Sequence, residues 1–138
     1  MRVRRARRAD FERVRALLGT HAPAERADRK RFRRLVSTLR EDLYLAEREP
    51  DATLVGLAVI VYARGLGPPT AVVRRLLGAS ELAATSLLEC ARSRAAARGC
   101  VRLELRLEGE EHSTRLGDAL VQRGWSEGPR SLVRNVAP

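Results

Sequence analysis

The 138 residues are enough for one domain around a single buried core, and a hydrophobic content of 44% excludes global disorder. The formal charge of +10 is unevenly spread: residues 1–50 hold 15 basic against 8 acidic side chains, and residues 51–138 hold 12 against 9. The apolar run Leu57–Tyr62 falls far short of the roughly eighteen residues of a membrane span. The charged start Met1–Arg8 has no apolar segment behind it, so no secretory signal is expected and a cytoplasmic location is.

A basic first half attracts anions over long range, whether nucleic acid, anionic lipid or a phosphorylated ligand. Yet Lys30 is the one lysine among 27 basic residues, and Ala and Arg dominate throughout, the mark of a GC-rich coding bias. Aromatic residues at 4% are too few for base-stacking platforms, so nucleic acid is not the expected partner. Cys90 and Cys100 have no second pair and no neighbouring His, which removes metal-ligand spacing; reduced core cysteines are the expectation, with no metal.

Taken in chain order, Val3–Arg7 suits a short strand. Asp10 stands where an N-cap belongs, before a helix with Phe11, Val14, Leu17 and Leu18 on one side. Asp28 is the expected cap of a second helix, whose Phe32, Leu35, Val36 and Leu39 keep helical spacing, with the arginines at 29, 31, 33 and 34 facing solvent. Strands follow at Leu43–Arg48 and at Leu54–Tyr62, the latter apolar on both faces and so central. The turn Gly65–Pro69 leads back into Ala71–Leu77 as an antiparallel hairpin.

Ser80 is positioned to cap a long helix with Ala84, Leu87, Leu88, Ala91 and Ala95 as its buried stripe, ended by Gly99. Val101–Leu107 alternates cleanly and predicts a strand. A helix over Ser113–Arg123, closed by Gly124-Trp125, and a last strand over Leu132–Val136 complete the order β-α-α-β-β-β-α-β-α-β. Hairpins in the middle and helices at the ends predict one α/β domain over 1–138, a central mixed sheet flanked by helices on both faces.

This order resembles the GNAT family of acyl-CoA-dependent N-acetyltransferases, across essentially the whole chain. Val3-Arg-Arg-Ala-Arg-Arg-Ala-Asp10 is similar to the family's opening I-R-x-A-x-x-x-D. Leu45-Ala-Glu-Arg-Glu and Leu54-Val-Gly-Leu-Ala-Val resemble its second and third strands, the Leu87–Gly99 spacing its long helix, and Gly124-Trp125 its usual Gly-Phe.

The resemblance implies acetyl-CoA as cofactor and an amine as acceptor, the identity of which stays open. In the family a Q/R-x-x-G-x-G/A loop before the long helix holds the pyrophosphate on backbone N–H groups. Two placements fit. One counts back from Leu87-Leu88 and puts Leu82 and Ala84 at the glycine positions, with Glu81 between Ser80 and Leu82; a carboxylate about 4 Å from phosphate would cost about 1–4 kcal/mol. The other, preferred, takes Arg75, Gly78, Ala79 and Ser80 as the loop, with backbone contacts from Val72 and Val73 on the strand before it.

For proton transfer the family's Tyr on the last helix corresponds to Leu120, which carries no proton, and an Asn near that helix's start corresponds to Ser113. Tyr62, Glu47 and Ser113 are the catalytic candidates, with Tyr44 and Glu104 behind them; His21 and His112 are expected in solvent. No Ser-His-Asp or Cys-His arrangement is suggested. Only 13 residues follow Trp125, less than a two-strand hairpin needs, so one strand is expected to be short or missing and a homodimer to complete the acceptor side. The alternative to an active transferase is a catalytically inactive GNAT-like binding or dimerisation module; a basic nucleic-acid-associated protein is a third reading.

Overall fold

In the computed structural model, residues 1–20, 22–106, 110–126, 128 and 134 are described, and the chain divides into two compact units, Met1–Arg106 and Leu107–Pro138. The first holds a five-stranded sheet in the order β1 (Arg2–Arg5), β2 (Glu41–Arg48), β3 (Thr53–Ala63), β4 (Thr70–Gly78), β5 (Arg102–Leu105). The first three junctions are antiparallel and the last is parallel, so β4 and β5 need a crossover. The crossover is α3 (Glu81–Ala97); α1 (Phe11–Leu17) and α2 (Arg26–Ser37) lie between β1 and β2. This is the expected mixed sheet.

Alternation along β2 sorts the two faces. Leu43 and Leu45 join Leu57 of β3 in a core with Phe11, Val14 and Phe32, which places α1 and α2 on that face. The Phe11 and Phe32 rings lie 5.2 Å apart and tilted, a favourable aromatic geometry. Ala46, next after Leu45 and so on the other face, pairs with Gly56, and a Cβ on Gly56 would stand 3.0 Å from Leu87 of α3. The second face therefore belongs to α3, whose Ala84, Leu87, Leu88, Ala91 and Ala95 are all buried as the spacing requires.

Helix ends follow local chemistry with two corrections. Asp10 is buried at the N-cap position of α1 but caps no helix amide; its carboxylate accepts from the Arg7 N–H at 2.7 Å instead. Asp28 is not the cap of α2, which starts a turn earlier; it accepts from the Glu25 N–H at 3.3 Å from within the first turn. Because α2 ends at Ser37, Leu39 leaves the apolar stripe and is 77% exposed. Gly99 takes φ +75°, with Cys100 N–H bonded to the Ala95 carbonyl, a left-handed stop that needs a residue without Cβ.

The second unit holds α4 (Glu110–Gln122), closed in the same manner by Gly124 at φ +96° with the Trp125 N–H on the Leu120 carbonyl. His21 and the expected strand Leu132–Val136, apart from Arg134, lie outside the described residues, as do the side chains of His112 and Ser113. Among the described residues no helix is long and apolar enough to cross a membrane.

Candidate functional site

The pairing of β4 with β5 runs from Thr70–Arg102 to Val73–Leu105 and ends there, while β4 continues to Gly78. On its other side β4 pairs Val73 with Ile60 and then Arg75 with Val59, which leaves Arg74 as an extra residue, a β-bulge. The edge from Arg74 to Gly78 thus has no strand partner on the β5 side among the described residues, and it opens directly toward α3 through two residues, Ala79 and Ser80. Val72 and Val73, expected as the backbone contacts, are instead the last paired positions; the open edge begins one residue later.

The start of α3 accounts for most of its own donors. The Ser80 hydroxyl accepts from the Ala83 N–H at 3.1 Å, as a cap should, and the Ala84 N–H meets the Ser80 carbonyl at 3.1 Å. Glu81 and Leu82 keep N–H groups with no acceptor inside the helix. Both side chains are exposed, Leu82 at 61%, so neither fills the corner. Ala79 is not free: its N–H reaches the Val55 carbonyl at 2.8 Å and extends the sheet.

The preferred loop is therefore shorter than the sequence suggests. Arg75 through Gly78 belong to β4, and only Ala79 and Ser80 lie between strand and helix. Gly78 serves packing: a Cβ there would stand 3.0 Å from the Ala84 nitrogen and 3.0 Å from the Ala84 Cβ. Arg75 turns to the opposite face and lines a cavity of about 350 Å³ with Phe11, Phe32, Leu57 and Val59. The bulge at Arg74 sets that face, because one inserted residue inverts every side chain after it.

The candidate proton carriers are engaged elsewhere. The Tyr62 hydroxyl donates to Asp42 Oδ2 at 2.6 Å, and the Arg98 guanidinium lies 3.9 Å from its ring centre. Burial first, then the bond to the Asp42 carboxylate, pushes the phenol well above its ordinary range. Asp42 is completely buried between Arg5 at 3.0 Å and Arg98 at 3.7 Å. Tyr44 is also buried, and burial raises its phenol.

Glu47 is buried under a second network. Arg4 Nε donates to it at 2.6 Å, while Nη1 and Nη2 of the same guanidinium donate to Asp10 at 2.9 and 2.8 Å. Arg4 holds Asp10 below the usual carboxylate range. Glu104 pairs with Arg102 at 2.8 Å. Sequence reasoning missed Asp42; the signal available was its position two before Tyr44 in a strand, which puts an acid on the face of a buried tyrosine.

Cys90 and Cys100 are free and half-buried, and burial raises the Cys90 thiol, which disfavours a reactive thiolate there. No group of three metal-ligating side chains occurs among the described residues.

Several solved structures share this architecture. The wild-type protein TTHA1254 of Thermus thermophilus is 26% identical, with 100% of this chain and 98% of that chain covered at a TM-score of 0.75. An acetyltransferase of Trypanosoma brucei matches at 14% identity and a TM-score of 0.76, covering 98% of this chain and 99% of its own. The aminoglycoside antibiotic 6'-N-acetyltransferase AAC(6')-Ih of Acinetobacter baumannii matches at 14% identity and 0.74, covering 97% and 96%. No family model matches the sequence, and no curated protein matches it. With five strands in this order, a parallel β4–β5 junction and a long crossover helix, the chain has the fold of these solved acetyltransferases, matched over nearly the full length of each.

Proposed function

We propose that the chain is an N-acetyltransferase that takes its acetyl group from acetyl-CoA. One observation carries the reading: β4 runs five residues past the end of its pairing with β5, through a bulge, into the N-terminus of a long helix. Backbone groups along Arg74–Gly78 would hold the extended arm of the cofactor as a missing strand, and the Glu81 and Leu82 N–H groups would meet its phosphates. When bound, acetyl-CoA supplies an acetyl thioester: the amine nitrogen forms the new N–C bond, the C–S bond breaks, and the proton lost by nitrogen ends on sulfur.

The chain's part in this is mainly positional. Unpaired strand N–H groups are preorganised donors for a carbonyl oxygen that gains charge. Tyr62 and Glu47 are bound into buried networks, so bulk water is the proton carrier on this reading, and the acetyl transfer is slow relative to enzymes with a free acid.

The same two networks, with the occupied Ala79 N–H, favour a second reading: a GNAT-like module without activity. Calorimetric titration with CoA and acetyl-CoA separates them. Saturable binding of both, with release of free thiol in the presence of an amine mixture, supports the transferase. Binding without thiol release supports the second reading, and no binding by either ligand rejects the first.

A further inference from the structure

The cavity under α1 and α2 has a lining of unusual division. Its walls are apolar, with Phe11 and Phe32 from the helices and Leu43, Leu57 and Val59 from the sheet. Its charged groups are not equivalent. Arg31 is 3.5 Å from Asp28 on its own helix, and Arg15 bonds Glu12 at 3.4 Å and the Ala22 carbonyl. The Arg75 side chain, exposed to solvent at the rim, has no ion pair or hydrogen bond among the described residues, and it stands one residue beyond the bulge at Arg74. A guanidinium without a protein partner among the described residues, at the rim of an apolar chamber, suits a ligand with an apolar body and a carboxylate.

Size narrows the class. About 350 Å³ is at the lower end of ligand pockets, which run from about 300 to 1,000 Å³, so a polyamine antibiotic or a folded peptide does not fit inside. Position narrows it further. In an α-amino acid the amine and carboxylate share one carbon. A carboxylate held by Arg75 therefore keeps the amine close to the β4 backbone at the bulge, where the open edge begins, while the side chain enters the chamber. The tilted Phe11–Phe32 pair offers both a ring face and a ring edge to a third aromatic group.

We infer that the acceptor is the α-amine of a small hydrophobic amino acid, anchored through its carboxylate by Arg75; this rests on the transferase reading for the reaction but not for the binding. L-phenylalanine is the probe, and phenethylamine, which lacks the carboxylate, is its control. Calorimetry on the protein without CoA is expected to give L-phenylalanine at least tenfold tighter binding than phenethylamine. Arg75→Gln is expected to bring the two within about twofold, since the charge-assisted bond that separates them is gone.

Leu35→Trp, which fills the chamber from a half-buried position, is expected to abolish binding of both ligands while the far-UV circular dichroism is kept. Equal affinity of the two ligands for the wild type, or a preference that survives Arg75→Gln, overturns the inference. Failure of L-phenylalanine to bind while CoA binds and other amines are acetylated also overturns it and leaves the transferase reading intact. Arg75-dependent binding of L-phenylalanine without any CoA binding supports the pocket assignment and removes the transfer reaction.

Discussion

Tyr62 and Asp42, twenty residues apart in the chain, are joined by a 2.6 Å hydrogen bond that ends on a carboxylate with no exposed surface. The pair is structural in its setting: Arg5 and Arg98 supply the positive charge, and Arg98 also donates to the Leu39 carbonyl at 2.6 Å. Replacing Tyr62 by Phe deletes one bond to a buried charge, worth about 1.5–3 kcal/mol. Urea unfolding is expected to show a loss of that size, with acetyl transfer per folded molecule unchanged. A large fall in turnover at full folding would return Tyr62 to the list of proton carriers.

Asp42→Ala should cost more than Tyr62→Phe. It leaves two arginines and a phenol facing a site without its anion, and breaking a buried ion pair from one side typically costs about 3–5 kcal/mol. The two denaturation midpoints, measured side by side, check the order.

The Arg4–Asp10 pair predicts an acid limb. The folded pKa of Asp10 lies below its unfolded value, chiefly through the side-chain hydrogen bonds from Arg4. Its contribution is therefore fully present above the unfolded carboxylate pKa near 3.8 and is lost as pH falls through the lower folded value. Asp10→Asn should lower stability by about 3 kcal/mol at pH 7, and the difference from wild type should shrink below about pH 4. A gap that is constant from pH 7 to pH 2.5 in thermal melts would count against the assignment.

Two glycines test the close approach of α3 to the sheet. A Cβ at position 56 would stand 2.7 Å from the Leu77 carbonyl oxygen, a backbone atom that cannot swing away. At position 78 the nearest atoms are 3.0 Å away, at the first turn of α3. Gly56→Ala should destabilise by about 1–3 kcal/mol, and Gly78→Ala by less. If Gly78 has a ligand role besides, Gly78→Ala should weaken CoA binding beyond its effect on melting.

Glu81 lies in the first turn of α3, beside the N–H groups assigned to phosphate. Glu81→Gln removes a like charge worth about 1 kcal/mol at 4 Å in water, so CoA affinity should rise about fivefold at low salt, with the gain fading as salt is added. Calorimetry at two ionic strengths measures both.

The sequence by itself determined the order of the elements from β1 to α4. The stripe Ala84–Ala95, the alternation behind β5 (Arg102–Leu105, shorter than the expected Val101–Leu107) and the stop at Gly99 are local patterns, fixed by geometry within a few residues. Even there a cap misled: Asp10 has the right spacing for α1, but the Arg4 guanidinium six residues behind it, on β1, competes better than a helix amide. Only the tertiary structure decided which charges were available. Glu47 meets Arg4 across 43 residues, Tyr62 meets Asp42 across 20, and no periodicity reports either pairing. The face of Arg75 was likewise decided by register, since one bulged residue in β4 turned a presumed phosphate contact into the lining of the opposite cavity.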